Sequence, residues 1–296
     1  MEAQYFENAK EARAYKTRKI IKDILLYLVL TFFAVFTVIP FLWMILYSFK
    51  SLGEIQDLTV PATFLPKDWT NNFQIFFKND YYIPIWRYMF NSILVGAVST
   101  GLSLIVTILA AFAFARLSFR GKEVIFSLML ATMMIPGEMM IITNFTTVSR
   151  LGWLDTYTAL IVPFISSVFY TFYLRQNFRQ IPDELYYAAK VDGISDFRYL
   201  LKVMLPIAKP AITTITILSM IGSWNAYIWP RAVTSSKSMY LVTNGIMRMF
   251  QSEAGDTLTT NYKMAAMTLV SLPLLIAFIV FKKYIMRGVS RAGIKG

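Results

Sequence analysis

Six long apolar runs constrain this 296-residue chain more than any other feature of its sequence. An α-helix needs about 20 mostly apolar residues to cross roughly 30 Å of hydrocarbon. Helices are expected in every run, because hydrocarbon offers no water to the backbone of an isolated strand or loop. The sequence therefore predicts an all-α integral membrane protein with six transmembrane helices. The predicted helices cover residues 24–49, 90–115, 124–148, 156–174, 211–229 and 265–281.

Composition agrees with a membrane protein and removes several kinds of chemistry. The chain is 56% apolar and only 16% charged, against about 25% charged in a typical globular protein. It has no Cys and no His, which excludes disulfides, zinc sites of the Cys/His type and catalytic triads with an imidazole base. We therefore expect no metal site and no catalysis that uses histidine as a base.

The basic residues indicate the orientation in the membrane. The net charge is +12, and most of the 29 Lys and Arg residues lie before the first run, in the second and fourth loops, or after the last run. Because Lys and Arg are enriched in cytoplasmic loops, both termini are predicted to be cytoplasmic and no nucleic-acid partner is expected. The predicted segments are a cytoplasmic amino-terminal segment 1–23, a first helix 24–49, an extracytoplasmic loop 50–89, a core 90–286 with five transmembrane helices, and a cytoplasmic tail 287–296.

Small residues on the second predicted helix indicate close helix contacts. Ala97 and Gly101, and then Ala111 and Ala115, lie four residues apart on one helical face. Small side chains at that spacing let a neighbouring helix approach closely. We therefore expect these two pairs to mark helix contacts, without indicating a specific partner.

Two polar features lie at or near membrane depth. Glu138 follows Pro136 and Gly137 in the third run, where an ionised carboxylate would cost a few kcal/mol in hydrocarbon. It either lines a solute path or sits at the outer interface, where the helix ends early. Asn225 and Tyr227, near the outer end of the fifth run, offer polar groups beside flat apolar surface, a mix that binds a polyol or sugar ring. They either line the same path or form an interface belt with one hydrogen bond between helices.

The loop at 180–210 carries the most specific pattern. A short helix is predicted from Pro182, with Asp183 and Glu184 favourably placed in its first turn. Gly193 ends this helix by supplying a left-handed residue, and Ser195 can cap a second helix. We call residues 183–204 the knob, because a unit so small suits a partner's groove. Its predicted surfaces are the exposed pair Ala188 and Ala189 on the first helix, and an apolar face of Phe197, Leu200, Leu201 and Met204 on the second.

This loop resembles the cytoplasmic coupling motif, EAA followed three residues later by Gly, of the membrane subunits of binding-protein-dependent ABC importers. The matching positions are Glu184, Leu185, Ala188, Ala189, Asp192, Gly193, Leu205, Pro206 and Pro210. Further matches, which make the chain similar to the carbohydrate-uptake branch of maltose-permease type, lie at 91–92, 113–116, 134–137, 174–176, 222–225, 229–230 and 293–296. The chain departs from the motif at Tyr187, where the family has Glu. A charged contact to the ATPase cannot form there, so Glu184 or Tyr187 serves otherwise or the partner differs.

The resemblance implies a permease subunit that moves a sugar or oligosaccharide by alternating access. Because the chain has no G-x-x-x-x-G-K-[ST] phosphate loop, ATP and Mg would be bound by two copies of a separate ATPase docked on the knob. The other implied partners are a second, homologous permease subunit and an extracytoplasmic solute-binding protein, in the cytoplasmic membrane of a bacterium or archaeon. This chain would bind no cofactor and would not be an enzyme. Lys295 and Gly296 match a family segment that reaches the ATPase interface; the alternative is a basic tail lying on anionic lipid.

The sequence by itself leaves other functions possible. Glycerol-phosphate or another organic phosphate is an alternative solute, since outer Arg231 and Arg248 could aid an anion. A channel or facilitator that works alone belongs to a different class, and ATP-independent uptake would identify it. A membrane-embedded enzyme is disfavoured, because no paired carboxylates lie on one helical face at membrane depth.

Overall fold

The structure is a computed structural model that describes residues 9–56, 65–67, 69–78, 84–251 and 260–293. Within those ranges every regular element is helical and no strand occurs, so the predicted all-α class is confirmed. The chain divides into two units, Met1–Phe73 with Leu258–Thr268 and Gln74–Thr257 with Leu269–Gly296. The helices are α1 Ala9–Tyr47, α2 Leu52–Gln56, α3 Ile75–Lys78, α4 Ile85–Arg116, α5 Lys122–Thr132, α6 Ile141–Arg150, α7 Tyr157–Ile161, α8 Val168–Arg179, α9 Asp183–Val191, α10 Asp196–Tyr199, α11 Leu205–Ile207, α12 Lys209–Asn225, α13 Ile228–Val233, α14 Val242–Gln251 and α15 Thr260–Gly293.

Helix α1 dominates the first unit and starts well before the predicted bound at residue 24. The basic segment is rich in good helix formers, so it continues the apolar run as one helix. The chain then turns, and hydrogen bonds of the buried Asn72 side chain hold this turn in place. Its Nδ2 donates to the carbonyl oxygens of Ser48 at 2.8 Å and Lys50 at 2.9 Å, while its Oδ1 accepts from Asn261 Nδ2 at 3.0 Å. This buried amide holds the chain at the end of α1.

The lengths and apolar character of the helices agree with membrane spans. In the described ranges three helices are long and apolar enough by themselves: Tyr15–Tyr47, Ile85–Arg116 and Thr260–Lys282. Three more candidates are bent pairs of helices. They are Lys122–Thr132 with Gly137–Arg150 at 86°, Tyr157–Phe164 with Val168–Arg179 at 42°, and Asp196–Ile207 with Lys209–Asn225 at 80°. The sharpest break contains Pro136, as its interruption of the third run predicts.

Helix α4 lies at the centre of the second unit and packs against α8 and α12. The inward face of α4 is a buried polar stripe made of Asn91, Ser92, Ser99, Thr100, Ser103 and Thr107. Thr100 Oγ1 donates to Ser219 Oγ of α12 at 3.0 Å. Small hydroxyl side chains let helices approach while offering hydrogen bonds between them, which explains a polar stripe inside an apolar bundle.

The two small-residue pairs on α4 differ in burial. Ala111 is fully buried and Ala115 is half-buried, in agreement with the predicted helix contact. Ala97 and Gly101 are exposed in this chain, so a helix contact at that pair stays a prediction. The contact face toward α12 includes Gly96, where a Cβ atom would lie 3.4 Å from Ser223 Oγ.

Gly245 of α14 lies directly against the Tyr88 ring of α4. A Cβ atom at this position would lie 2.4 Å from Cδ2 of the buried Tyr88 ring on α4, far inside van der Waals contact. We expect Gly245→Ala to lower the free energy of unfolding by about 1–3 kcal/mol, because the ring must move in a packed core. Thermal unfolding in nanodiscs measures the effect. Gly101→Ala is the matched helical control, since nothing lies within 4 Å of its Cβ; an equal loss in both variants would contradict the packing argument.

Candidate functional sites

The knob has the helix–glycine–helix form that the sequence predicts. Helix α9 follows Pro182 and has Asp183 and Glu184 in its first turn. Gly193 adopts φ +71°, and its N–H donates to the Lys190 carbonyl at 3.1 Å. The next residue, Ile194, donates to the Ala189 carbonyl at 2.8 Å. These bonds satisfy carbonyls at the end of α9 and reverse the chain direction.

Three details of the predicted knob are wrong. Ser195 stands at the start of α10 but makes no side-chain capping bond; its carbonyl accepts from Tyr199 N at 2.9 Å instead. Ala189 is buried rather than exposed. Phe197 and Leu201 are exposed, whereas Tyr199, Leu200 and Met204 are buried. A wide π-turn at Leu200–Met204 explains the last error, because it changes the period that the predicted face assumed.

Polar contacts join the two knob helices across the glycine turn. Asp196 Oδ1 lies 2.8 Å from Lys190 Nζ and accepts from the Tyr186 hydroxyl at 2.6 Å. The hydrogen bond from Lys190, followed by that from Tyr186, lowers the pKa of Asp196. Burial, followed by donation to Asp196, raises the pKa of Tyr186. The Tyr186 ring also meets Tyr199 edge-on, with centroids 5.1 Å apart. The sequence analysis did not predict this cluster, because Tyr186 belongs to no periodic apolar pattern that would indicate its contacts.

The residues predicted to contact an ATPase lie mostly on the surface of the knob. Exposed members are Glu184, Tyr187, Ala188, Asp192, Gly193 and Pro206, while Leu205 is half-buried. Tyr187 is 65% exposed and Val191 is 88% exposed, so the outer side of α9 presents an apolar surface. Lys295 and Gly296 lie outside the described residues.

The three residues predicted to line a solute path lie outside the knob, at two separate places along the chain of the second unit. Glu138 is exposed in the short turn Gly137–Met140, and every residue from 131 to 140 is exposed. Asn225 is exposed at the end of α12. The half-buried Tyr227 accepts a hydrogen bond at its hydroxyl from Arg231 Nη1 at 2.8 Å. Within the described residues, no hydrogen bond joins Glu138 to Asn225 or Tyr227.

A cavity of about 210 Å³ lies between α4, α7, α12 and α13. Its polar lining consists of Ser99, Ser219 and Ser223, and its aromatic lining of Phe164 and Trp229. Ser99 Oγ is buried and has no hydrogen-bond partner among the described residues. Asn225 and Tyr227 do not line the cavity, although their chain neighbour Ala226 does. The sequence analysis did not single out Ser99.

Asn91 of α4 fixes the segment 226–251, which we call the hairpin segment, at this end of the bundle. Asn91 is fully buried, and its Nδ2 donates to the carbonyls of Ser238 at 2.8 Å and Tyr240 at 3.0 Å. Its Oδ1 accepts from the Tyr157 hydroxyl at 2.7 Å. The adjacent Ser92 Oγ accepts from Val242 N at 2.8 Å. One polar side chain of α4 thus holds α7 and the hairpin segment together.

Asp155 provides a second attachment for the hairpin segment. Its backbone adopts φ +59°, and its Oδ1 accepts from the N–H groups of Ser235 at 2.9 Å and Ser236 at 3.1 Å. Burial tends to raise the pKa of Asp155, but hydrogen bonds from Ser235 and Ser236 outweigh it and lower the pKa. The carboxylate is therefore held ionised against the serine turn.

Comparison with known proteins identifies the class to which this arrangement belongs. Residues 103–291 match the family described as the binding-protein-dependent transport system inner membrane component. The chain is 32% identical over 267 residues to the arabinooligosaccharides transport system permease protein AraQ of Halalkalibacterium halodurans, covering 90% of this chain and 94% of that protein. It is 31% identical over 242 residues to the sn-glycerol-3-phosphate transport system permease protein UgpE of Yersinia enterocolitica, covering 80% and 86%.

A solved structure shows the same fold. The match is to a chain of a bacterial ABC transporter involved in the import of the acidic polysaccharide alginate, with a TM-score of 0.78, 23% identity, and coverage of 94% of this chain and 99% of that one. The fold and the matched range define a multi-pass membrane component of a transporter. The chain belongs to the binding-protein-dependent transport family of inner membrane components, the permease subunits of ABC importers. The predicted family of the chain is thereby confirmed.

Proposed function

We propose that this chain is the permease subunit of an ATP-driven importer that moves a sugar or oligosaccharide across the cytoplasmic membrane of a bacterium or archaeon. The observation that carries the proposal is the exposed knob, with its glycine turn, inside the range that matches the family. The names of AraQ and of other relatives support a carbohydrate as solute. Six spans with both termini in the cytoplasm require each bent pair to cross the membrane as one span, which its length and composition permit.

The partners follow from surfaces that the isolated chain leaves uncovered. We propose that two copies of an ATPase supply ATP and Mg sites and that one of them receives the α9 surface formed by Glu184, Tyr187, Ala188 and Val191. Because Tyr187 and Val191 are apolar and exposed, the groove that receives them should be apolar as well. The tail residues Lys295 and Gly296 are proposed to reach the same ATPase. This chain contributes no nucleotide site and acts as a transport subunit rather than an enzyme.

Other partners are proposed for the remaining surfaces. The exposed stretch 131–140 and α1 must meet either lipid or a second, homologous permease subunit. An extracytoplasmic solute-binding protein is proposed to dock at the end of the bundle that carries the hairpin segment. A second similar structure, with a TM-score of 0.58 and 14% identity, is of a bacterial alginate ABC transporter in complex with a periplasmic protein that binds an alginate pentasaccharide, and it supports this kind of partner.

The solute path is proposed to include Glu138, Asn225 and Tyr227. The cavity beside Asn225 has hydroxyl groups and aromatic rings, and such lining suits a neutral polyol better than an anion. Glycerol-phosphate is the second candidate, supported by the relative UgpE. Arg248 does not favour it, because its Nε donates to Asn244 Oδ1 and its Nη2 to the Thr234 carbonyl, each at 3.3 Å. The guanidinium of Arg248 thus holds the hairpin segment in place.

Single-cysteine crosslinking tests the proposed ATPase contact, because the chain has no native Cys. A benzophenone maleimide attached to Ala188→Cys in the assembled complex should form an adduct with the ATPase on illumination. Ala189→Cys is the matched control, since Ala189 is the adjacent residue and is buried. Equal adducts from both positions would contradict docking on the outer side of α9. Labelling of Ala188→Cys by an impermeant maleimide in intact cells would reverse the proposed topology.

Uptake into proteoliposomes tests the transport proposal. The complex purified with its ATPase and second permease subunit, and supplied with the solute-binding protein, should import arabinooligosaccharides or another sugar only when ATP is present. Import of glycerol 3-phosphate and not of sugars would select the second solute. ATP-independent uptake by this chain alone would identify a channel or facilitator.

A further inference from the structure

Arg116, the last residue of α4, reaches three partners around the start of the knob. Its Nη2 donates to the carbonyl of Phe178 at 2.9 Å and also to the carbonyl of Ile181. Its Nη1 forms an ion pair with Asp183 in the first turn of α9. The side chain of Arg116 is only 4% exposed, whereas that of Asp183 is 67% exposed. One covered guanidinium therefore connects the end of α4 to the end of α8 and the beginning of α9.

Arg175 of α8 makes the reciprocal connection. Its Nε donates to the carbonyl of Phe114 on α4 at 3.0 Å, and its Nη2 lies 2.8 Å from Glu123 Oε1 of α5. The guanidinium also lies over the Phe126 ring, 3.9 Å from the ring centroid. Each of the two helices α4 and α8 thus sends one arginine to a backbone carbonyl near the end of the other.

We propose that Arg116 and Arg175 form a crossed brace that makes α4, α5, α8 and α9 one rigid body, and that Arg116 is the positioning residue that transmits displacement of α9 to the bundle. The proposal rests on the proposed function, because the displacement would come from an ATPase docked on the knob. "Brace" here means the contacts of Arg116 and Arg175 given above.

Physical chemistry explains why arginine suits this place. The last carbonyls of a helix have no i+4 partner within it. The Phe178 carbonyl near the end of α8 accepts from Ile181 N at 3.2 Å and gains Arg116 as a further donor, while the Ile181 carbonyl belongs to the turn that follows α8. A guanidinium has donors in a fixed planar fork and can satisfy two carbonyls and one carboxylate together, whereas lysine is a single point charge. Apolar packing of the knob against Leu174 and Phe178 is also present, but it is non-directional. The arginine contacts therefore fix the orientation of α9 relative to α4.

A distance measurement tests the rigid body directly. Spin labels at Leu185→Cys, an exposed residue of α9 outside the proposed docking surface, and at Leu109→Cys on the exposed side of α4 report the separation within the assembled complex. With Arg116 present, we expect one narrow distribution that is unchanged when ATP binds. Arg116→Ala should broaden the distance distribution about twofold or more. Arg116→Lys should give an intermediate width, because lysine replaces only part of the planar donor fork of arginine. Arg120→Ala, an exposed arginine in the same loop, is the matched control and should match the parent. An equally narrow distribution in Arg116→Ala, or an ATP-dependent shift in the parent, would overturn the brace.

A second readout separates transmission from simple destabilisation. In a separate preparation, Asn225→Cys reports the opposite end of α12 through its alkylation rate with and without ATP. We expect Arg116→Lys to reduce the ATP-dependent change in that rate about fivefold, a loss of coupling between distant sites, while ATP hydrolysis and complex assembly persist. A full ATP response in both Arg116 variants would overturn the positioning role. If the parent itself shows no ATP response, the proposed alternating access fails, and the distance measurement still decides the brace.

Discussion

Gly193→Val is expected to abolish most ATP-driven uptake by the assembled transporter. Gly193 adopts φ +71°, a left-handed conformation that a β-branched residue reaches only with strain of about 1–3 kcal/mol. Nothing lies within 4 Å of a Cβ at this position, so the strain comes from the backbone and not from a clash. Relief of that strain would turn α10 away from α9 and break the contact between Lys190 and Asp196. The α9 surface would then face the ATPase in the wrong orientation.

Two related substitutions separate backbone conformation from side-chain size. Gly193→Asn should retain most uptake, because asparagine tolerates the left-handed region, and Gly193→Ala should be intermediate. The measurement is the ratio of solute imported to ATP hydrolysed in proteoliposomes, together with co-elution of the ATPase. Equal losses in the Asn and Val variants would assign the defect to side-chain bulk, against our argument. Unchanged uptake in the Val variant would remove the coupling role from the knob.

The local part of the knob was predictable because its signals lie within a few residues. A proline before an acidic first turn and a glycine after the last helical residue define α9 without reference to the rest of the chain. The buried state of Ala189 was not predictable, because α9 turns that residue toward Leu200 and Phe178, which belong to other helices. The inward face of the second knob helix was also missed, since the π-turn at Leu200–Met204 breaks the 3.6-residue period.

The side chains that connect helices of the bundle could not be predicted from the sequence, for a related reason. Arg116 and Arg175 appear in the sequence as basic loop residues and were counted as topology signals, yet both side chains are covered and bind carbonyls of other helices. Ser99 carries no signal of its own, because a serine within an apolar run is ordinary in a membrane helix. Its unpartnered hydroxyl becomes informative only when α7 and α12 close a cavity around it. Long-range packing, rather than local propensity, determines these roles.

Asn91→Leu is expected to have the largest effect on stability. Leucine has a similar size but neither donor nor acceptor, so the buried carbonyl of Tyr240 and the part-buried hydroxyl of Tyr157 would lose their partner. Each buried polar group left unpaired costs about 1–3 kcal/mol. We therefore expect the free energy of unfolding to fall by about 2–6 kcal/mol, with the hairpin segment released from α4. Chemical unfolding in nanodiscs measures the loss, and hydrogen exchange at residues 234–251 locates it.

A graded series makes the Asn91 prediction specific to hydrogen bonding. Tyr157→Phe removes only the hydroxyl that donates to Asn91 Oδ1, so it should cost about 1 kcal/mol and leave the hairpin segment protected. Asn91→Asp would place a buried carboxylate oxygen against the carbonyls of Ser238 and Tyr240, so at neutral pH it should cost at least as much as Asn91→Leu. A loss of the same size in Tyr157→Phe and Asn91→Leu would show that the carbonyls of Ser238 and Tyr240 contribute nothing. If Asn91→Leu is as stable as the parent, apolar packing alone positions the hairpin segment. A loss of the expected size would instead mean that the hydrogen bonds of Asn91 tie the proposed docking end for a solute-binding protein to α4, so that this end follows the helix as the bundle changes shape.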